Sequence, residues 1–267
     1  MSEGKHWYFE DGTPCFELPN KSKPGQMRGV TKADARKLHL FPSVNTVASD
    51  VLAKSDLNNS AKRKLTEWCF TYHPEPGEHP KDYHKRADTG AFAEWRAKRD
   101  LGTEIHKALE QHFQGQAFGP SLAVYVEAVD KWVAENGVTF LAHELRLVNK
   151  PYGYAGTTDG RIRLNEKAPV GFSGKSGILD FKSTGTTAGK PVAQYPDYAM
   201  QISAYAAAYN PAVMSDIGVN VFISTTEPGR VEAVWYDAER LAQEWEVFQA
   251  ALKIWRHRNG YDPRRKE

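Results

Sequence analysis

An α/β fold is the expectation for this chain, and two observations carry it. Three strand-like runs follow one another at Thr139–Val148, Gly153–Leu164 and Gly177–Ser183, each short and bounded by turn residues. Segments with helical spacing stand before and after them, and two further strand-like runs, Val219–Ser224 and Val231–Tyr236, come later.

The elements read in order as follows. Residues up to about Leu40 are polar and turn-rich, with Pro14, Pro19 and Pro24; they read as a small hairpin and a loop, or as a loosely packed arm. Ser43 to about Tyr72 reads as two short helices. Thr71–Pro80 holds three prolines and reads as a loop with a turn at Pro76-Gly77. A long helix is expected from about Lys81 to Phe113, broken near Gly102, with Ile105, Leu109 and Phe113 forming a buried stripe beside His106. Pro120-Ser121 opens a helix that runs to about Glu135 and stops at Asn136-Gly137. After the three strands, Gln194–Tyr209 is a helix halted at Asn210-Pro211. Ala238–Arg258 closes the chain as a helix with Leu241, Trp245, Phe248, Leu252 and Trp255 on one side. No repeat or linker interrupts this series. Residues 1–80 read as an N-terminal arm and helical elaboration and residues 81–267 as the core, together forming one compact domain.

Composition narrows the class. With 40% hydrophobic and 12% aromatic residues, a chain of 267 residues can bury a sizeable core. No stretch approaches the length of a membrane-spanning helix, and Met1–His6 lacks the apolar run of a secretory leader. Cys15 and Cys69 are far apart and unpatterned, which points to a reducing compartment, a cytoplasmic location and no structural disulfide. The net charge of +2 means that any nucleic-acid contact has to come from locally gathered cations. The segment from Tyr83 to Arg99 is the best such place. It carries Arg86, Arg96 and Arg99 interleaved with Tyr83, Phe92 and Trp95, a pairing that suits backbone neutralisation and base stacking on single strands. The alternative for these cations is a solvated helix face, and for Trp95 a place in the core.

The chemistry-bearing signal is Asp180-Phe181-Lys182, at the end of the apolar run Gly177-Ile178-Leu179. Alternation along a strand puts Asp180 and Lys182 on one face and Phe181 on the other. Asp159 lies one hairpin upstream, in Gly156-Thr157-Thr158-Asp159-Gly160. If the two strands pair, both carboxylates and the ammonium converge. Paired carboxylates bind a hard divalent cation through oxygen, and a nearby lysine holds a water or a phosphate oxygen. That set suits metal-assisted phosphodiester hydrolysis. An isolated solvated pair is the ordinary alternative for Asp-x-Lys at a strand end.

The surrounding order carries a resemblance. Gly102-x-x-x-His106 is followed by Glu144 in a strand pattern, then Gly156-Thr157-Thr158-Asp159, then Asp180-Phe181-Lys182-Ser183, then Gln201-x-x-x-Tyr205. Phe41-Pro42-Ser43-Val44-Asn45-Thr46 stands ahead of them, with Asn45 in place of a more usual threonine. This series resembles the RecB-like branch of the PD-(D/E)XK nuclease superfamily, and within it the stand-alone exonucleases of bacteriophages. The likeness runs from about Phe41 to the final helix. It implies a restriction-endonuclease-like αβββαβ core with a mixed central sheet, a helical N-terminal elaboration and a C-terminal helix.

The resemblance also implies roles. Asp159, Asp180 and the backbone carbonyl of Phe181 would ligate one or two Mg²⁺ or Mn²⁺ ions, with His106 and Glu144 as further ligands or close partners. Lys182 would position a water or offset charge on the phosphate, or simply pair with Asp180. Gln201 and Tyr205, four apart on one helix face, would line the site near Lys182. Ser183 would meet the nucleic acid or the neighbours of Lys182, and the loop Gly185–Lys190, flexible in composition, could gate the cleft. His143 should face away from Glu144. Some relatives hold an iron–sulfur cluster on four cysteines; two cysteines exclude that here. The implied activity is a metal-dependent DNA exonuclease, phage-encoded, acting in recombination, replication or degradation. A single-strand annealing protein or a helicase would be its partner. The competing readings are an endonuclease on the same fold, a catalytically silent nucleic-acid-binding protein, and an acidic turn that holds a structural Ca²⁺.

Overall fold

A computed structural model describes residues 6–52, 55–210 and 217–265. Pro211 and the first five residues lie outside them, so neither the proline stop nor the leader reading is addressed. The N-terminal part comprises β1 (Trp7–Tyr8), β2 (Glu17–Pro19), β3 (Met27–Gly29), α1 (Lys32–Leu38), β4 (Phe41–Pro42), α2 (Val44–Val51) and α3 (Ser55–Thr71). Then come α4 (Pro80–Ala91), α5 (Ala93–Phe113), a 3₁₀ turn at Pro120–Leu122 and α6 (Ala123–Glu135). The rest is β5 (Val138–Asn149), β6 (Tyr154–Leu164), β7 (Ser176–Thr184), α7 (Pro196–Tyr209), β8 (Ile217–Ser224), β9 (Val231–Tyr236) and α8 (Ala238–Asn259).

The fold is mixed α/β. One five-stranded sheet runs β5-β6-β7-β8-β9, with β7 and β8 parallel and the other neighbours antiparallel. The alternation along β7 sorts the two faces. Leu179 and Phe181 enter a core with Ile105, Leu109 and Val129 from α5 and α6. Ile178 enters a second core with Val44, Met200, Phe248 and Trp255 from α2, α7 and α8. β8 is buried at every position, as a central parallel strand covered by helices on both faces must be. Among the described residues, no helix is long and apolar enough to cross a membrane.

Three expectations are corrected. The N-terminal segment is not a loose arm: Trp7 is fully buried, edge-on to Trp255 at 6.0 Å between ring centroids. It also contains α1, started by a reciprocal cap between Thr31 and Asp34. The long helix breaks at Phe92 and not at Gly102, which is buried inside α5. The glycine is there for space, because a Cβ on it would stand 2.3 Å from Ser183 Oγ. Finally, the Gly185–Lys190 loop is strapped down. The Thr186 amide donates to Thr226 Oγ1 at 2.8 Å, and Arg230 donates to the carbonyls of Thr187 and Lys190.

Candidate active site

The site forms where β6 peels away from β7. Their main-chain ladder runs only as far as the Gly160–Leu179 pair, whereas β7 stays paired to β8 through Thr184. Beyond that fork two side chains take over the missing ladder bonds. Thr158 Oγ1 donates to the Leu179 carbonyl at 2.9 Å, and the Phe181 amide donates to Asp159 Oδ2 at 2.5 Å. Asp159 is thereby fastened to the main chain of the strand that bears Asp180 and Lys182.

Asp180 is almost fully buried. Its Oδ2 lies 2.5 Å from Lys182 Nζ and 3.4 Å from Asn220 Nδ2. Burial pushes the Asp180 carboxyl up from its usual range; the Lys182 charge opposes this and the Asp159 charge adds to it. Lys182 Nζ donates to Gln201 Oε1 at 2.8 Å and stands 5.3 Å from the centre of the Tyr198 ring. Gln201 Nε2 then donates to Tyr205 OH at 3.0 Å, and burial pushes that phenol well above its ordinary value. Asp180, Lys182, Gln201 and Tyr205 are therefore one connected chain of contacts, on the α7 side of the sheet.

The α5 side supplies the rest. His106 Nδ1 lies 3.8 Å from Asp159 Oδ1. Burial pulls this imidazole down, but the carboxylates of Asp159 and Asp180 outweigh it and its pKa is raised. Glu144 lies on β5 opposite the fork and takes the left-handed backbone conformation, φ 46°, which a non-glycine residue seldom adopts outside turns or functional sites. Burial, then the charges of Asp159 and Glu110, push Glu144 up to about 7. His143 stacks against both Phe113 and Phe140, at 4.8 and 4.3 Å, and burial lowers its pKa. The Phe181 ring joins that aromatic cluster, parallel to Phe113 at 6.2 Å.

Glu144 yields a pH prediction for the metal-free protein. Its carboxyl ionises near 4.5 in the unfolded chain and near 7 in the fold. A raised folded value means that the contribution of Glu144 to stability is fully present below pH 4.5 and is lost as pH rises through 7. Glu144 is half-buried, so screening holds the loss to the order of 1 kcal/mol. Glu144→Gln should flatten that segment of the stability curve, measured by urea unfolding at a series of pH values. An unchanged difference between wild type and variant across the window would refute it.

Among the described residues, no three His, Cys, Asp or Glu side chains stand together as a ready-made metal cage. The donor set nevertheless suits a hard cation. The charges of Asp159 and Asp180 each raise the Glu144 carboxyl, and that of Asp159 raises Asp180, a like-charge repulsion that a divalent ion relieves. Asp180 meets Lys182 and Asn220 through Oδ2, whereas Asp159 meets the Phe181 amide through Oδ2 and His106 Nδ1 through Oδ1, at 3.8 Å.

Beside His106 a cleft of about 580 Å³ opens between α5 and the ends of β7 and β8, lined by Lys98, Arg99, Thr103, Ser183 and Thr225 among others. Arg99 and Ser183 of the expected nucleic-acid contacts lie on it. The other three do not. Arg86 is taken up by Glu78, at 2.7 Å, and by the Trp68 and Tyr83 rings. Arg96 reaches back to the Thr89 carbonyl, and Trp95 packs on Phe92 with Lys64 over its ring. These three tie α3, α4 and α5 together. Sequence reasoning missed Asn220, Thr158 and Glu110. Glu110 was detectable, one helical turn after His106; a lone Asn inside the apolar run of β8 was the signal for Asn220.

No protein-family model and no curated protein matches the chain. Among solved structures it is similar to one described as the crystal structure of SSO0001, at 16% identity over 74% of this chain and 87% of that one. The TM-score of that superposition is 0.28, too loose to carry an argument.

Proposed function

We propose that this chain is a metal-dependent DNA exonuclease of the RecB-like PD-(D/E)XK type. The observation that supports it best is the fastening of Asp159 to the Phe181 amide, which joins both carboxylates and Lys182 at one fork of the sheet. A Mg²⁺ or Mn²⁺ held by Asp159, Asp180 and the Phe181 carbonyl would activate water and offset charge on the phosphate. His106 and Glu144 flank that place from α5 and β5. Lys182, held by Gln201, keeps a positive charge where negative charge grows on the phosphate. Lys98, Arg99 and the hydroxyls of Thr103 and Ser183 would carry the neighbouring backbone of the strand.

End-labelled linear DNA and circular DNA, each with Mg²⁺, Mn²⁺ or EDTA, test this directly. Shortening of the linear substrate from an end, in metal only, is expected. Cutting of the circle would favour an endonuclease. DNA binding without any cleavage would favour a silent binding protein.

The cleft makes a separate prediction. Lys98→Ala with Arg99→Ala should weaken DNA binding and lower the salt slope by about 2, roughly one per phosphate contact removed. Fluorescence anisotropy over a salt series measures it. An unchanged slope would take the strand out of this cleft.

A further inference from the structure

β8 is apolar from Ile217 to Ile223 apart from one side chain, Asn220, which is fully buried. A buried amide is costly unless both its ends are bonded. Here the oxygen end accepts from Tyr236 OH at 3.0 Å. The Asp180 carboxylate and carbonyl can only accept, so they decide which way the amide points, and the phenol, able to donate or accept, then donates to Oδ1. The NH₂ end is thereby turned to the residue directly opposite in the parallel ladder, Asp180. It stands 3.4 Å from Asp180 Oδ2 and 3.5 Å from the Asp180 carbonyl. These are long contacts, of the kind that tighten when a site is loaded. Reversed, the amide would set its own oxygen against the carboxylate.

We infer that Tyr236 and Asn220 are positioning residues for Asp180: the phenol anchors the oxygen end of the amide, and the NH₂ end holds the carboxylate so that Oδ2 stays with Lys182 and Asn220. This rests on Asp180 being a metal ligand. A purely structural role explains the pair less well, since an apolar residue of similar shape would stabilise this strand at least as much. Neither residue touches the substrate in this account; both act through Asp180.

The test is built on that difference. Tyr236→Phe keeps the ring and removes the anchoring bond. The double variant Asn220→Leu with Tyr236→Phe removes the hydroxyl and the amide together, so neither faces the other unpaired, and Asp180 loses only the long contacts at 3.4 and 3.5 Å while keeping Lys182. Mn²⁺ affinity by calorimetry, metal-free melting, and kcat and KM on linear DNA would be measured for each. Expected are a loss of about 10–100-fold in Mn²⁺ affinity or kcat in both variants, the usual effect of removing a ligand's supporting bonds. KM for DNA should stay within about twofold, since it reports contacts outside this pair. The double variant should melt close to wild type. Wild type that binds Mn²⁺ and cleaves, with variants that bind and cleave equally well, would overturn the inference and leave the nuclease reading intact. Wild type that neither binds Mn²⁺ nor cleaves would overturn both.

Discussion

Asp180→Asn should abolish cleavage while leaving the metal-free protein about as stable as wild type. The loss of activity should be on the order of 10³-fold or more, because several kcal/mol of charge stabilisation depend on the cation that Asp180 helps to hold. Stability should behave differently. The fold disfavours the ionised form of Asp180, since burial outweighs even a lysine at 2.5 Å. An amide of the same shape removes that burden and still offers Lys182 an acceptor. Lys182 also keeps Gln201 and the Tyr198 ring. Thermal melting with and without Mg²⁺ separates the two effects. Wild type should gain about 2.7 kcal/mol at a hundredfold excess of metal over its dissociation constant, and Asp180→Asn much less. An equal gain in both would show that the ion sits elsewhere.

Gly156→Ala should weaken the fold and the site together. A Cβ at this position would stand 2.6 Å from Tyr205 Cε1, with Cδ1 and Cζ at 3.5 Å. The ring is buried and cannot swing clear, so either β6 or α7 has to move. Such overpacking costs about 1–3 kcal/mol. A displaced ring also carries its hydroxyl away from Gln201, which holds Lys182. Cleavage should fall roughly tenfold, the effect of shifting a charged group from its best position. Tyr205→Phe is the control, because it deletes the hydroxyl and leaves the ring in place. If Gly156→Ala lowers neither melting nor cleavage, β6 and α7 are not packed as tightly as this contact implies.

The sheet was the most legible part of the sequence. Short apolar runs between turn residues placed β5 to β9 within a few residues, because period-two patterning and punctuation are local signals. The α1 helix escaped notice because its apolar stripe is a single buried alanine, leaving the Thr31–Asp34 cap as its one clear mark. Gly102 was read as a break when it is a contact; composition alone does not distinguish a glycine that bends a helix from one that lets Ser183 approach. Within the site, Asp159, Asp180 and Lys182 came from motif order. What brings them together, the Phe181 amide on Asp159 and the early end of the β6–β7 ladder, is a matter of strand splay that no residue pattern records. Arg86 and Arg96 show the opposite failure. They belong to a basic stretch that looked like a nucleic-acid surface, yet these two cations are engaged by Glu78, aromatic rings and main-chain carbonyls, while Arg99 of the same stretch lies on the cleft.

The meeting of Trp7 with Trp255 sets an order of events during synthesis. The core on the α5 and α6 side needs nothing beyond β9, so its parts are all available before α8 has been made. The core on the other side contains residues from both Trp7 and Trp255 and cannot close until α8 has left the ribosome. At about 5–20 residues per second, the segment that starts at Trp7 waits more than ten seconds for its partner. During that interval an indole destined for full burial is exposed on the growing chain, so chaperone capture of nascent chains should persist until α8 emerges.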